Sequence, residues 1–237
     1  SKIYVRYHLE RREISPDWEK ASWLVQLEAG EVTTSSVTIS LVRNSVDNPF
    51  FPRTGSMTTI RAEIAGGIFG GTTDFHSYWL ESSRYLPLVG NTALVVRTTV
   101  AVVDELGRHG YIPVYEKFRL GGTGPDGVRG YQDREIVPRG NPIDVGGKFM
   151  MTGSIEYRIP VVENRAYVLA FIDAGETWNS VRAARIGRLR RGAGFGFRIE
   201  IPMMGQLGFD FGYGFDREDR YGGPGWETHF QFGMAGM

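Results

Sequence analysis

The sequence predicts an all-β fold, an antiparallel β-barrel whose strands cross a membrane, on the basis of three observations. Apolar and polar residues alternate through most of the chain, which is the period of a β-strand. The alternating segments reach or exceed the roughly 9 to 11 residues that a membrane barrel strand needs. The connections between them alternate between compact and long, as they do in barrels with short turns on one side of the membrane.

Ten such segments follow one another along the chain. We predict strands near residues 2–13, 31–45, 56–69, 73–87, 92–105, 148–161, 166–178, 190–203, 205–216 and 224–236, and region 14–30 has the weakest pattern. Apolar faces in the N-terminal half include Ile3, Val5, Tyr7 and Leu9; Ile60, Ala62 and Ile64; and Leu94, Val96, Val100 and Val102. Those in the C-terminal half include Ile155, Tyr157, Ile159 and Val161; Phe195, Phe197, Ile199 and Ile201; Leu207, Phe209, Phe211 and Tyr213; and Trp226, Thr228, Phe230 and Phe232. The opposite faces carry charged residues or glycine.

The connections favour a barrel over a sandwich. The compact ones are 44–55, 88–91, 162–165 and 202–205, the long ones are 106–147, 179–189 and 216–223, and the link at Gly70–Gly71 is an exception. A loop of about 40 residues is uncommon in a compact soluble domain and is usually functional. A soluble β-sandwich also alternates, with its apolar face packed on a partner sheet, so that fold remains the alternative.

The composition excludes several classes of protein. Among 237 residues, 27 basic and 27 acidic side chains cancel, whereas a nucleic-acid partner normally requires a surplus of Lys and Arg. The chain has no cysteine, which excludes disulfides, thiolate nucleophiles and Cys-ligated metals. The longest apolar run, 166–172, is far shorter than the roughly 20 residues of a membrane-spanning helix. From the charge balance we expect no nucleic-acid partner.

The sequence contains no pattern typical of catalysis. The histidines have no metal-ligand spacing, and no serine lies in a nucleophile elbow. Residues 122–127 match the dinucleotide motif GxGxxG, but Pro138 and Pro142 break the chain where that motif requires a helix. We expect a protein that is not an enzyme and that uses no cofactor and no metal.

The first residues alternate like a strand and lack the features of a secretory signal. Ten strands could close a small barrel. Because the chain begins inside a structural pattern, we expect residues 1–237 to be the C-terminal part of a larger transmembrane barrel domain.

The long connection 106–147 carries the most specific motifs. Residues 118–122 read Phe-Arg-Leu-Gly-Gly, residues 128–131 read Val-Arg-Gly-Tyr, and five predicted strands follow. Here the sequence resembles the BamA/TamA superfamily of outer-membrane assembly and secretion barrels, whose signature occupies the corresponding loop. Residues 47–56, 154–157 and 171–175 are similar to further motifs of that family. The resemblance implies a barrel of about 16 strands, of which the last ten or so lie here.

Strand parity brings two carboxylates to one side of the barrel wall. Glu156 lies on the charged face of its strand, and Asp173 has the opposite parity to the apolar Ile172. Such a pair suits a guanidinium, which bonds carboxylates in a fork geometry. The resemblance implies that Arg129 enters the lumen and makes this contact. The alternative is a solvated turn, the ordinary state of an arginine flanked by glycines.

We expect the loop to be held in the lumen by a small set of residues, which we call the lock. They are Val128, Arg129, Gly130, Tyr131, Glu156 and Asp173. Gly121 and Gly122 would let the backbone turn through positive φ near the wall.

The resemblance implies a function, namely insertion of β-barrel proteins into the outer membrane of a Gram-negative-type bacterium. It also implies the partners: unfolded outer-membrane protein substrates, periplasmic modules of the same chain, accessory lipoproteins and outer-membrane lipids. The last strand, with Trp226, Phe230, Phe232 and Gly233, would pair with the first strand of the barrel at a seam that can open. The alternatives are a two-partner-type secretion pore of the same superfamily and a passive porin.

Arginines are concentrated in the connection 179–189 and just beyond it, on the side of the long loops. Arg185, Arg188 and Arg190 are candidates for contact with lipid phosphates of the outer leaflet. A solvated basic loop is the alternative.

Overall fold

The computed structural model describes residues 1–19, 21–49, 51–107, 110–163, 165–201 and 205–233. The strands are β1 (Lys2–Ile14), β2 (Gly30–Asn44), β3 (Gly55–Ala65), β4 (Phe75–Pro87), β5 (Ala93–Glu105), β6 (Phe149–Val162), β7 (Ala166–Trp178), β8 (Arg190–Ile201), β9 (Gly205–Gly214) and β10 (Gly225–Gly233). They form one antiparallel sheet in chain order, with β1 and β10 at its two ends. The sheet is open. The all-β, antiparallel prediction is confirmed.

The predicted strands are all present, and the one real difference lies at the end of β3. The prediction over 56–69 is too long, because the chain turns at Gly66 and Gly67, whose φ values are 80° and 57°. A Cβ on Gly66 would lie 2.0 Å from the carbonyl oxygen of Thr73, so only glycine fits there. A 3-10 turn, Gly67–Phe69, follows.

Helices are few and short. The region 14–30 contains α1 (Trp23–Gln26), and short 3-10 turns lie in the connections. None of the helices within the described ranges is both long enough and apolar enough to cross a membrane.

One face of the sheet, the outer face, presents apolar side chains that no other described part of the chain covers. Phe195 is 56% exposed and Phe230 is 57% exposed. Aromatic rings pack along this face from strand to strand: Phe197 lies 5.2 Å from Phe209, which lies 4.9 Å from Phe230. Because the described strands belong to a single sheet, these rings are not enclosed between two stacked sheets. The sandwich alternative is therefore wrong.

The opposite face, the inner face, is covered by the connection between β5 and β6. We call residues 106–148 the inner loop. The buried apolar residues that it contributes to the main hydrophobic cluster are Ile112, Phe118, Leu120, Val128, Tyr131 and Ile136. They pack against inner-face residues of four strands, Ala65, Phe75, Ala101, Val103 and Met150. The inner loop is thus a folded element with its own hydrophobic core against the sheet, rather than a surface connection.

Candidate functional site

The tip of the inner loop is shaped by a narrow pair of extended segments. Leu120 bridges Ile136, and the N–H of Gly122 donates to the carbonyl of Tyr131 at 2.9 Å. Gly121 and Gly122 have φ values of 132° and 67°. A Cβ on Gly121 would lie 2.0 Å from the carbonyl oxygen of Gln132. The two glycines therefore allow the close approach that brings residues 128–131 back toward the sheet.

Arg129 lies on the inner face and binds two carboxylates. Its Nε and Nη2 donate to the two carboxylate oxygens of Asp173, at 2.7 and 2.8 Å, and its backbone N–H donates to the same carboxylate at 3.1 Å. Nη1 lies 2.9 Å from Oε1 of Glu156. The guanidinium also lies over the ring of Phe171, 3.6 Å from its centre. Arg129 is 5% exposed, so the solvated-turn alternative is wrong.

Burial and charge act in opposite directions on this guanidinium. Burial disfavours its charged form, but Glu156 and Asp173 favour it more strongly and raise the pKa of Arg129 above its ordinary value. Arg129 is therefore a permanent cation held by fixed anions.

The cluster around Arg129 is larger than the sequence indicated. Glu156 also accepts hydrogen bonds from Arg97, at 2.8 and 3.2 Å, and from Arg158, at 2.7 and 3.0 Å. Asp210 on β9 lies 3.7 Å from Nη1 of Arg129 and is held in fork geometry by Arg198, at 2.9 and 2.7 Å. Strand parity places all these residues on the inner face, but their pairing depends on strand register, which the sequence does not provide.

The wall opposite the tip is made of glycines. A Cβ on Gly192 would lie 2.0 Å from the carbonyl oxygen of Arg129, one on Gly212 would lie 2.5 Å from the nitrogen of Gly130, and one on Gly214 would lie 2.3 Å from the oxygen of Gly130. Gly130 itself has a φ of 95°. The bare inner faces of β8 and β9 are therefore the surface that receives the loop backbone. The alternation in the sequence predicts glycine on the faces opposite the apolar ones, but it does not indicate why these positions lack side chains.

Val128 and Tyr131 anchor the tip on either side of Arg129. Both are fully buried. The hydroxyl of Tyr131 donates to the carbonyl of Arg191 at 2.9 Å and accepts from the N–H of Asp216 at 3.1 Å. Burial raises the pKa of Tyr131 to about 12, so the hydroxyl keeps its proton. The tip is thus tied to the first residues of β8 and to the connection after β9.

The last strand meets the tip through a residue that sequence reasoning missed. His229, buried on the inner face of β10, accepts the N–H of Gly130 through Nε2 at 3.0 Å. Trp226, Phe230 and Phe232 lie on the outer face of β10 and are exposed, and Gly233 ends the strand. Residues 234–236 of the predicted last strand lie outside the described residues.

The expectation of a lipid contact is wrong for Arg190. Parity from the first residue of β8 turns its side chain inward, where it is 2% exposed. Its guanidinium donates to Glu176 at 2.5 Å and to the carbonyl of Val137 at 3.1 Å, and it also binds Glu218. Arg185 and Arg188 are exposed in the connection before β8, so the lipid contact stays a prediction for those two.

No three His, Asp or Glu residues come together as a metal site within the ranges that the structure describes. His109 lies outside those ranges.

Comparison with known proteins places the chain among membrane barrel proteins. The family model described as the Omp85 superfamily domain matches residues 2–236. An outer membrane protein assembly factor BamA from Nitratidesulfovibrio vulgaris is 30% identical over 233 residues, 97% of this chain and 29% of the relative. The BamA of Neisseria meningitidis serogroup B is 30% identical over 151 residues, 60% of this chain and 18% of the relative.

A solved structure has the same fold. The crystal structure of BamA from Haemophilus ducreyi lacking POTRA domains 1-3 matches with a TM-score of 0.68 at 21% identity, over 85% of this chain and 42% of that one. This chain therefore spans less than a third of the length of the two sequence relatives and less than half of the solved chain.

Replacing Arg129 with alanine should lower the free energy of unfolding by about 3 kcal/mol, because the Asp173 carboxylate then remains buried without its partner. The matched control is Arg139→Ala, which removes another inner-loop arginine whose side chain is 52% exposed beside Glu176 and should cost less than about 1 kcal/mol. Urea unfolding of the lipid- or detergent-embedded protein, followed by tryptophan fluorescence, measures both. Equal losses in the two variants would contradict the lock.

Gly212→Ala should displace the loop tip, because the new methyl would meet backbone atoms of Gly130 and Arg129 that cannot move aside. We expect a loss of about 1 to 3 kcal/mol and faster hydrogen exchange across residues 128–131. Gly153→Ala is the control: it changes another strand glycine, whose Cβ would have no neighbour closer than 3.9 Å. Unchanged exchange at the tip in Gly212→Ala would refute the close fit.

Proposed function

The chain belongs to the Omp85 superfamily, and on that premise we propose that it is barrel sequence of an outer-membrane protein assembly factor. The observation that carries this proposal is the similarity over 97% of the chain to a protein named as such a factor. The uncovered apolar outer face supports a position in lipid, where every backbone polar group must be paired inside the protein. We place it in the outer membrane of a Gram-negative-type bacterium, as the C-terminal part of a barrel of about 16 strands.

We propose that assembly proceeds by strand pairing at a seam formed by β10. Within the described residues β10 is paired only with β9, so in the full barrel its free edge would meet the first strand. An open seam exposes backbone N–H and C=O groups, which are costly in hydrocarbon and therefore pair with an incoming strand. Gly233 at the end of β10 offers no side chain to strengthen the seam.

The proposed partners follow from this mechanism. They are unfolded outer-membrane proteins as substrates, periplasmic modules of the same chain, accessory lipoproteins and the surrounding lipids. The chemistry is an exchange of hydrogen bonds between strands, so the proposed protein is not an enzyme and acts without a cofactor.

The lock contributes by keeping the inner loop on the wall beside the seam. Arg129 joins β6 and β7 through Glu156 and Asp173 and lies near Asp210 of β9, so one cation links three of the strands that precede β10, of which β9 is its direct neighbour. This arrangement supports a barrel that is rigid up to its last strands, with movement confined to the seam.

A disulfide across the seam tests the proposal. In the full-length protein, Thr228→Cys is paired with a cysteine on the strand that faces β10, and the control joins β10 to its existing neighbour through Thr228→Cys with Phe211→Cys, which are partners in the register. In liposomes containing the oxidised seam variant, an added unfolded barrel protein should fold at the uncatalysed rate, and reduction should restore catalysis. Full activity of the oxidised seam variant would overturn the proposed mechanism.

Conductance separates this function from that of a passive porin. Because the inner loop is folded against the inner face, the full-length protein in a planar bilayer should pass little current. Arg129→Ala should raise the frequency of open events, while Arg139→Ala should not. A large steady conductance in the unaltered protein would favour the porin.

A further inference from the structure

The inner face of β10 has three polar residues, and each makes a contact. Glu227 lies 3.3 Å from Nη1 of Arg217, His229 accepts the N–H of Gly130, and Gln231 donates to Asp210 at 2.9 Å. Two of these contacts reach the connection after β9 or β9 itself. The contact from His229 is different, because it joins β10 directly to the tip of the inner loop, 99 residues away in sequence.

The position of Gly130 makes this bond sensitive to the lock. Gly130 directly follows Arg129 and packs so closely on Gly212 and Gly214 that no side chain fits at any of the three positions. If Arg129 leaves Asp173, the N–H of Gly130 must move with it. A buried donor that loses its acceptor is costly, so the bond to His229 and the ion pair of Arg129 favour the same position of the tip.

The acceptor role also restricts the chemistry of His229. Nε2 can accept the N–H of Gly130 only when it carries no proton, so the ring is neutral with its hydrogen on Nδ1. Glutamine places an amide oxygen at nearly the same distance from the backbone and can accept the same bond. Leucine has a similar size and cannot.

We propose that His229 is a positioning residue that couples the loop tip to β10, so that β10 is held while Arg129 is in its site and is loosened when the tip leaves. Such coupling is reciprocal: whatever free energy the docked tip contributes to β10, a loosened β10 removes from the tip. The coupling itself depends only on the structure. Its consequence for the seam depends on the proposed function.

The test is hydrogen exchange on the full-length protein in lipid, read in two peptides that cover residues 225–233 and 125–133. His229→Leu should speed exchange about tenfold in both peptides, the factor that corresponds to about 1.4 kcal/mol. His229→Gln should restore near-original rates in both. Gln231→Leu is the matched comparison: it removes a neighbouring bond from β10 to Asp210 of β9 but leaves the acceptor Nε2 of His229 in place, so it should speed exchange in the 225–233 peptide and change the 125–133 peptide much less than His229→Leu does.

Reciprocity supplies a second arm that leaves His229 intact. Arg129→Lys keeps the charge but loses the fork geometry, and it should speed exchange in the 225–233 peptide as well as at the tip. This arm decides the question if His229→Leu does not fold.

The outcomes are distinct. Unchanged exchange at the tip in His229→Leu, His229→Gln as fast as His229→Leu, or unchanged β10 exchange in Arg129→Lys would each overturn the coupling. If the exchange data follow the expectation while His229→Leu assembles substrate at the original rate, the coupling stands and the seam mechanism fails.

Discussion

The bond between the Arg129 guanidinium and the carboxylates of Asp173 and Glu156 is the interaction on which the arrangement of the inner face depends. Ordering the 43 residues of the inner loop costs free energy, because each fixed residue loses conformational entropy of the order of 1 kcal/mol. The hydrophobic contacts of the inner loop include Val128 and Tyr131, which flank Arg129, as well as Phe118 and Leu120. Hydrophobic packing is not directional. The ion pair adds a directional constraint between the two buried side chains of the tip and fixes the orientation of the backbone there.

The glycines of β8 and β9 are the steric counterpart of that ion pair. A strand position without a side chain weakens a sheet, yet the inner faces of these strands repeatedly lack one. The close distances from Gly192, Gly212 and Gly214 to the backbone of Arg129 and Gly130 explain the loss. On the outer face of the same strands, Phe195 and Phe211 stack at 5.5 Å and fill the surface that faces away. The same alternation thus places glycines against the loop backbone on the inner face and aromatic rings on the exposed outer face.

The sequence was sufficient for the strands and for part of the site, and the reason is parity. Alternation locates each strand and its two faces, which places Glu156 and Asp173 on the polar face of the sheet; this face is the inner one once the apolar face is taken to contact lipid. It does not say which inner residues are opposite one another, so the contact of Arg198 with Asp210 and that of His229 with the loop were out of reach. The predicted lipid contact of Arg190 is wrong for a related reason. Arg190 is the first residue of β8, so strand parity turns its side chain inward, whereas the residues of the connection before it are exposed.

The carboxylates of the site differ in how much they depend on Arg129. Glu156 has Arg97 and Arg158 as further partners, and Asp210 has Arg198, so these carboxylates stay compensated without Arg129. Asp173 differs, because all the side-chain hydrogen bonds that its carboxylate makes within the described residues come from Arg129. The electrostatic cost of undocking the tip is therefore concentrated on one carboxylate of β7. The ion pairs on Glu156 and Asp210 therefore hold the strands together independently of Arg129, while the single dependent anion, Asp173, gives the docked position of the tip its specific electrostatic advantage.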